Sequence, residues 1–177
     1  MPDAAALFDP PVLLTEAHDA STFESGETVL DDWLRQRAWK NQQDAASRTY
    51  VVCPAGSLTI IGYAALSMGQ ILAQDTTGAM RRNMPTFIPA VLLGRLAIAH
   101  AWQGRGLGRA LLADVIARAR RASAQVSARL VIVHAISPAA EAFYVRHGFT
   151  RLPVETPTLA LDLVKLEKLA RSGQNFR

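Results

Sequence analysis

Gly104, Gly106 and Gly108 stand two residues apart, after an apolar run and at the start of a helical pattern. A strand, a glycine-rich turn and a helix N-terminus make an anion site, because backbone N–H groups and the positive helix end point at whatever sits there. Arg105 and Arg109 flank the glycines, where a planar guanidinium suits phosphate oxygens. Two phosphate motifs fail. No Lys-Ser or Lys-Thr pair follows the glycines, which excludes a Walker A loop. The spacing is not G-x-G-x-x-G, and no acidic residue closes the next strand, which disfavours a dinucleotide fingerprint. A third pattern, Q/R-x-x-G-x-G/A, is matched in register by Gln103, Gly106 and Gly108.

Other groups able to do chemistry are scattered. His100, His134 and His147 are bases by type, yet each reads as structural or exposed, so no general base is evident. Cys53 is the single cysteine and lies in a strand-like run, which reads as core. It rules out a disulfide framework and a multi-cysteine zinc site, and no metal site is expected. Trp33, Trp39 and Trp102 are candidates to stack on bases, although Trp33 falls on a helix's apolar stripe.

Charge is segregated. Residues 1–34 carry a charge of −8, residues 35–151 carry +11 and residues 152–177 carry +1, giving the net +4. A central region that positive attracts polyanions, either phosphorylated cofactors or nucleic acid. Arginine supplies 16 of the 19 basic residues, a bias that GC-rich coding also produces. Arg35, Arg37, Lys40, Arg48, Arg81, Arg82 and Arg95 are the candidate polyanion contacts.

The elements that must position these groups read as mixed α/β. With 177 residues, 50% of them hydrophobic and 19% charged, the chain fits one domain over 1–177 and is not a disordered tail or coiled coil. No apolar run approaches the ~18 residues of a spanning helix, and Met1–Asp9 lacks the pattern of a secretory signal, so a cytoplasmic protein is expected. Periodicity predicts a helix over 28–43, with Leu30, Trp33, Leu34 and Ala38 on one face and Thr28 paired with Asp31 as a cap. Thr49–Cys53 and Leu58–Leu66 read as a hairpin, and 69–86 as a long polar loop with a short helix. A strand follows over Ile88–Ala99, where Gly94 and Arg95 suggest a bulge or a close backbone approach. Beyond the glycine turn a helix runs to about Ala122, buried through Leu111, Leu112, Val115, Ile116 and Ala119. Then come a strand at Leu130–His134, a helix at Pro138–Arg146 with Gly148 past its end, strands near Phe149 and at Leu159–Leu163, and a terminal helix.

The turn at Gln103–Gly108 and the segment Phe143-Tyr144-Val145-Arg146-His147-Gly148-Phe149 together resemble the Gcn5-related N-acetyltransferases (GNAT), whose members carry both patterns in this order. A closer resemblance covers residues 12–165. Phe23-Glu24-Ser25-Gly26, Leu30-Asp31-Asp32-Trp33-Leu34, Arg48-Thr49-Tyr50-Val51, Arg81-Arg82-Asn83-Met84-Pro85 and Leu93-Gly94-Arg95-Leu96-Ala97 look like the acetyltransferase toxins of type II toxin–antitoxin systems. Where many relatives place an acidic residue after Leu-Ala-Val, this chain has Ala99 and His100, so no role of that carboxylate carries over.

The resemblance implies an α/β GNAT fold, a mixed central sheet splayed between its two central strands and flanked by helices. It implies a toxin that transfers acetyl from acetyl-CoA to the α-amino group of aminoacyl-tRNA, blocks translation and is neutralised by a ribbon-helix-helix antitoxin. A homodimer is expected, with no membrane partner. An N-acetyltransferase for a small-molecule amine or a protein N-terminus is the alternative on the same fold. Tyr144 matches the family's general acid, and the backbone of Gln103, Gly104, Arg105, Gly106, Leu107, Gly108 and Arg109 its pyrophosphate site. Leu96, Ala97 and Ile98 are expected along the pantetheine, and Ser137 and Phe143 around it. Arg48, Arg81, Arg82 and Arg95 are the candidate tRNA contacts.

Overall fold

A computed structural model describes residues 7–174, so the first six residues of the segment read for a signal lie outside the described residues. Seven strands form one sheet: β1 (Val12–Leu13), β2 (Arg48–Val52), β3 (Gly62–Leu72), β4 (Phe87–Ile98), β5 (Leu130–His134), β6 (Thr150–Arg151) and β7 (Thr158–Asp162). Their order is β1-β2-β3-β4-β5-β7-β6. The helices are α1 (Thr28–Gln36), α2 (Ala38–Gln43), α3 (Gly78–Arg81), α4 (Leu107–Gln125), α5 (Pro138–Arg146) and α6 (Leu163–Gln174). β4 and β5 run parallel over Ala90–Leu93 against Leu130–Val133, and the last five residues of β4 lie beyond that ladder. The β1–β2, β2–β3, β5–β7 and β6–β7 pairs are antiparallel, so the sheet is mixed as expected.

The chain divides into two compact units. Residues through Ser67 together with Gly94–Val115 form the first, and Met68–Leu93 with the chain from Ile116 onward form the second. Tyr63 organises the first. Its ring stacks on Trp33 at 5.9 Å and meets the edge of Phe23 at 5.6 Å, while its hydroxyl donates to the Leu30 carbonyl at 2.7 Å. Burial pushes its pKa well above the usual tyrosine value. Leu14, Leu34, Ala38, Val51, Cys53 and Ile60 complete that core, which places Cys53 where the sequence reading had it.

Several local expectations need correction. The helix expected over 28–43 is two helices, broken at Arg37, whose φ of −122° leaves the helical region. Neither Gly nor Pro stands at the break, so its cause is tertiary. α2 presents Gln42, whose amide donates to the Leu14 carbonyl (2.7 Å) and accepts from the Thr49 N–H (3.0 Å). Thr28 and Asp31 form no cap pair. Glu27 occupies the N-cap without a side-chain bond, and the Asp31 carboxylate turns instead to Ser25. β3 starts at Gly62 rather than Leu58 and continues through Leu72, so the expected loop over 69–86 is largely ordered. Its remainder closes with the Ala73 N–H donating to Thr86 O, and Thr77 caps α3. The close backbone approach is at Gly62, where a Cβ would lie 3.0 Å from Ile98 Cδ1, and not at Gly94. β4 runs unbroken through Gly94 and Arg95.

In the second unit Ile88, Ala90, Leu130, Ile132, Leu152 and Ala160 pack under Met80. Arg129 and Asp162 form a two-pronged ion pair, both bonds 2.8 Å, between the start of β5 and the end of β7. Asp162 also caps α6, accepting from the Val164 and Lys165 N–H groups at 3.1 and 3.2 Å. Burial acts to raise the Asp162 pKa, but the Arg129 hydrogen bond and the two backbone N–H groups outweigh it and hold the carboxyl below the usual range. A depressed pKa gives stability that is present above the unfolded-state value and lost as pH falls through the folded one. Asp162→Ala removes both the pair and the cap, so it is expected to destabilise the fold by ~3 kcal/mol at pH 7. Urea unfolding across pH checks this: the gap between parent and variant should narrow as pH drops below ~4.

Candidate active site

The glycine turn lies in the first unit, between β4 and α4. Gly104 and Gly106 take φ values of +74° and +81°, a region disfavoured for side chains bearing a Cβ. No atom lies within 4 Å of where a Cβ would stand on either residue. The first backbone bond of α4 runs from the Ala110 N–H to the Gly106 carbonyl at 3.1 Å. The N–H groups of Leu107, Gly108 and Arg109 therefore have no acceptor inside the helix. Leu107 is fully buried and anchors the helix start, while Arg105 and Arg109 are exposed. Unclaimed N–H groups, the positive helix end, two guanidinium groups and open space beside the glycines fit a pyrophosphate.

Gln103 departs from expectation. Its backbone N–H is already engaged by the His100 carbonyl at 3.2 Å, so it does not join the anion cradle. Its side-chain amide donates to Ser25 O at 2.8 Å and Ile98 O at 2.9 Å. Gln103 is thus a brace beneath the turn. Of the strand residues ahead of it, Leu96 is half-buried, and Ala97 and Ile98 are buried. The Arg95 guanidinium lies over the Trp33 ring at 4.3 Å, and Arg105 lies over Trp102 at 5.1 Å. Trp33 belongs to the core, and Trp39 packs against it.

Tyr144 lies in the second unit, on α5. Ser137 accepts from the Ala140 N–H at 3.1 Å as the cap of that helix, with Pro138 following it. Two turns on, the buried Tyr144 ring is held between Phe143 at 5.2 Å and Phe149 at 5.4 Å. Burial pushes its pKa up to about 12, so the phenol keeps its proton at any physiological pH.

The rings of His147 and His134 are engaged locally. His147 Nδ1 is 2.7 Å from Phe143 O at the end of α5, and His134 Nδ1 is 3.0 Å from Thr158 Oγ1. The His100 backbone N–H donates to Glu24 O at 2.7 Å, and its side chain is exposed. Burial raises the Cys53 pKa, as for a core thiol. Among the basic candidates, Arg35 is bound to Phe23 O and Asp32, Lys40 to Asp44, and Arg48 to Gln42 O. Arg37, Arg81 and Arg82 are exposed. The second unit also has a groove of about 710 Å³ lined by Met84, Pro89, Arg120, Ala128, Leu163 and Lys168 among others, and neither Phe143 nor Tyr144 lines it.

Residues 47–151 match the family model described as an acetyltransferase (GNAT) domain. The chain belongs to the GNAT family of acetyltransferases. Among curated proteins, this GNAT chain is 41% identical over 165 residues to a "tRNA-acetylating toxin" of Mycobacterium tuberculosis (strain ATCC 25618 / H37Rv), covering 93% of this chain and 96% of that one. Among solved structures, AtaT complexed with acetyl-methionyl-tRNAfMet superposes with a TM-score of 0.85 at 26% identity, covering 92% of this chain and 98% of the other. AtaTR bound with AcCoA gives 0.78 at 28% identity, over 92% and 98%. A mutant AtaT toxin bound to the C-terminus of the antitoxin AtaR and acetyl-CoA gives 0.77 at 27%, over 92% and 97%.

Sequence reasoning missed two devices of this GNAT chain: the Ser25–Asp31–Gln103 network and the Arg129–Asp162 pair. The signal for the first was present, since Ser25 and Asp31 stand in segments that carry the family resemblance, but the spacing of Asp31 from Thr28 suggests a helix cap. The second joins residues 33 apart and leaves no local pattern.

Proposed function

We propose that this chain transfers the acetyl group of acetyl-CoA to the α-amino group of aminoacyl-tRNA in the cytoplasm and so blocks translation. A cognate antitoxin with a ribbon-helix-helix region neutralises it, and the toxin, a single acetyltransferase domain, acts as a homodimer. The observation that carries the acceptor is the tRNA-acetylating relative, matched over almost the whole of both chains. The observation that supports the donor is the cradle at Gly104–Arg109.

When bound, acetyl-CoA supplies an activated acetyl thioester. The N–H groups of Leu107, Gly108 and Arg109 hold its pyrophosphate, with Arg105 and Arg109 adding charge-assisted contacts. The backbone of Leu96–Ile98, beyond the β4–β5 ladder, pairs with the pantetheine amides and offers an N–H toward the thioester oxygen. Phe143 and the helix start at Ser137 border the pantetheine. An α-amine with a pKa of ~7.7–8.0 is partly neutral at pH 7, so this acceptor needs a dedicated base less than a lysine does. Tyr144 Oη donates a hydrogen bond to the sulfur as the thiolate leaves.

Arg48, Arg81, Arg82 and Arg95 contact the tRNA phosphates, and the exposed pair Arg81 and Arg82 gives the test. Acetylation of purified aminoacyl-tRNA is measured across a salt series for the parent and for Arg81→Ala/Arg82→Ala. The parent is expected to weaken steeply with salt, and the logarithmic slope of the variant to shrink by about one unit per lost phosphate contact, with acetyl-CoA affinity unchanged. A parent that ignores charged tRNA but acetylates free amines or peptides overturns the assignment and favours the small-amine reading.

A further inference from the structure

We infer that Asp31 and Ser25 are positioning residues that set the cofactor turn through the Gln103 side chain. The inference rests on the reading that this turn holds acetyl-CoA.

All the residues concerned belong to the first unit. Ser25 and Asp31 are both buried. The Asp31 carboxylate accepts from the Ser25 N–H at 3.0 and 3.2 Å and from the Ser25 hydroxyl at 2.5 Å. Gly26, at φ +95°, turns the chain sharply between Ser25 and the start of α1. This fixes a row of three consecutive carbonyls. Phe23 O accepts from Arg35 Nη1 at 2.6 Å, Glu24 O from the His100 N–H at 2.7 Å, and Ser25 O from Gln103 Nε2 at 2.8 Å. Two of those donors, His100 and Gln103, belong to the link between β4 and the glycines. The same Gln103 amide also takes Ile98 O at 2.9 Å, the last carbonyl of β4. One amide therefore ties the end of β4 to the Ser25 carbonyl, directly before two glycines that offer no side chain of their own to fix the turn.

A buried carboxylate facing a serine six residues before it has no evident purpose in α1 alone, where an acidic side chain would stabilise equally well from a solvated cap. Its consequence lies at the far end of the row. An anion cradle of backbone N–H groups binds tightly only when it is held in place before the ligand arrives. Removing the brace should therefore weaken acetyl-CoA binding and leave the chemical step intact.

The experiment measures acetyl-CoA affinity by calorimetry and separates KM for acetyl-CoA from kcat, for Asp31→Ala, Gln103→Leu and the double variant. Each single variant is expected to raise Kd and KM by ~10-fold, with the effect falling on KM rather than kcat. Because both act through one chain of bonds, the double variant should also lose ~10-fold, not the ~100-fold of independent sites. Gln103→Leu alters an exposed side chain and should remain folded. If Asp31→Ala does not fold, Ser25→Ala takes its place in the cycle, since it keeps the Ser25 N–H bond to Asp31 and removes only the hydroxyl's bonds to Asp31 and to the Glu27 N–H. Asp31→Asn keeps an acceptor for the Ser25 N–H and is expected to recover most of the affinity. Unchanged affinity in Gln103→Leu, or additive losses in the double variant, overturns the inference. A parent that fails to bind acetyl-CoA at all overturns the cofactor reading beneath it.

Discussion

Tyr144→Phe is expected to lower kcat by ~10²-fold or more while acetyl-CoA affinity stays as in the parent. The phenyl ring retains its packing against Phe143 and Phe149, so the fold and the neighbourhood of α5 survive the change. What is lost is one O–H donor, and it matters only once negative charge develops on sulfur. An interaction made in the transition state alone lowers kcat and kcat/KM together. Induced expression of the variant should accordingly no longer arrest growth.

The raised pKa of Tyr144 refines its role. At about 12, against ~8.5 for an ordinary thiol, complete proton transfer from the phenol to the thiolate is uphill by ~5 kcal/mol. In the proposed reaction Tyr144 would therefore act chiefly as a hydrogen-bond donor that keeps its proton, and the proton that ends on sulfur would derive from the acylated nitrogen. The parent's pH–rate profile follows from this. Activity should rise as the α-amine deprotonates toward ~8, with no loss through Tyr144 ionisation over that range. A fully active Phe variant would assign the donor to another group.

How much of this was legible in the sequence depended on whether a segment is governed by its own residues. The bounds of β5 and α5, Leu130–His134 and Pro138–Arg146, were legible to the residue, because Pro138 and Gly148 punctuate the second and a β-branched apolar run marks the first. The glycine turn ahead of α4 was legible because glycines at φ +74° and +81° are required by backbone sterics. The break at Arg37 was not, since Ala38 and Gln42 continue the helical pattern and only the Gln42 bonds to Leu14 and Thr49 reveal the separate helix. Gln103 shows how a motif position conceals its task. The pattern marks the residue, but its side chain serves Ser25 and Ile98, and its backbone N–H is taken by His100. The extension of β3 to Leu72 went unread because Gly69 and Gln70 are poor strand formers that pairing within the sheet overrides.

Gly108→Asp is expected to abolish acetyl-CoA binding without weakening the fold, two effects of opposite sign from one carboxylate. Gly108 is the second residue of α4, where the backbone is helical and a Cβ-bearing residue such as aspartate carries no left-handed strain. In the free protein its charge faces the positive end of the helix, which stabilises by ~0.3–1 kcal/mol, and an alanine-like side chain is preferred to glycine in a helix. With the cofactor the same charge opposes the pyrophosphate. At ~5 Å and an effective dielectric of ~20, like charges repel by ~3 kcal/mol per unit charge, enough for a loss of at least ~10²-fold. Gly106→Glu should lose binding as well, but with an added cost of ~1–2 kcal/mol in stability, because its φ of +81° disfavours any side chain. Calorimetry with acetyl-CoA and thermal unfolding of both variants separate the terms. Loss of affinity in Gly108→Asp with an unchanged or higher Tm locates the pyrophosphate on the N-terminus of α4. Retained affinity in that variant would mean that the unclaimed N–H groups of Leu107, Gly108 and Arg109 serve some other anion.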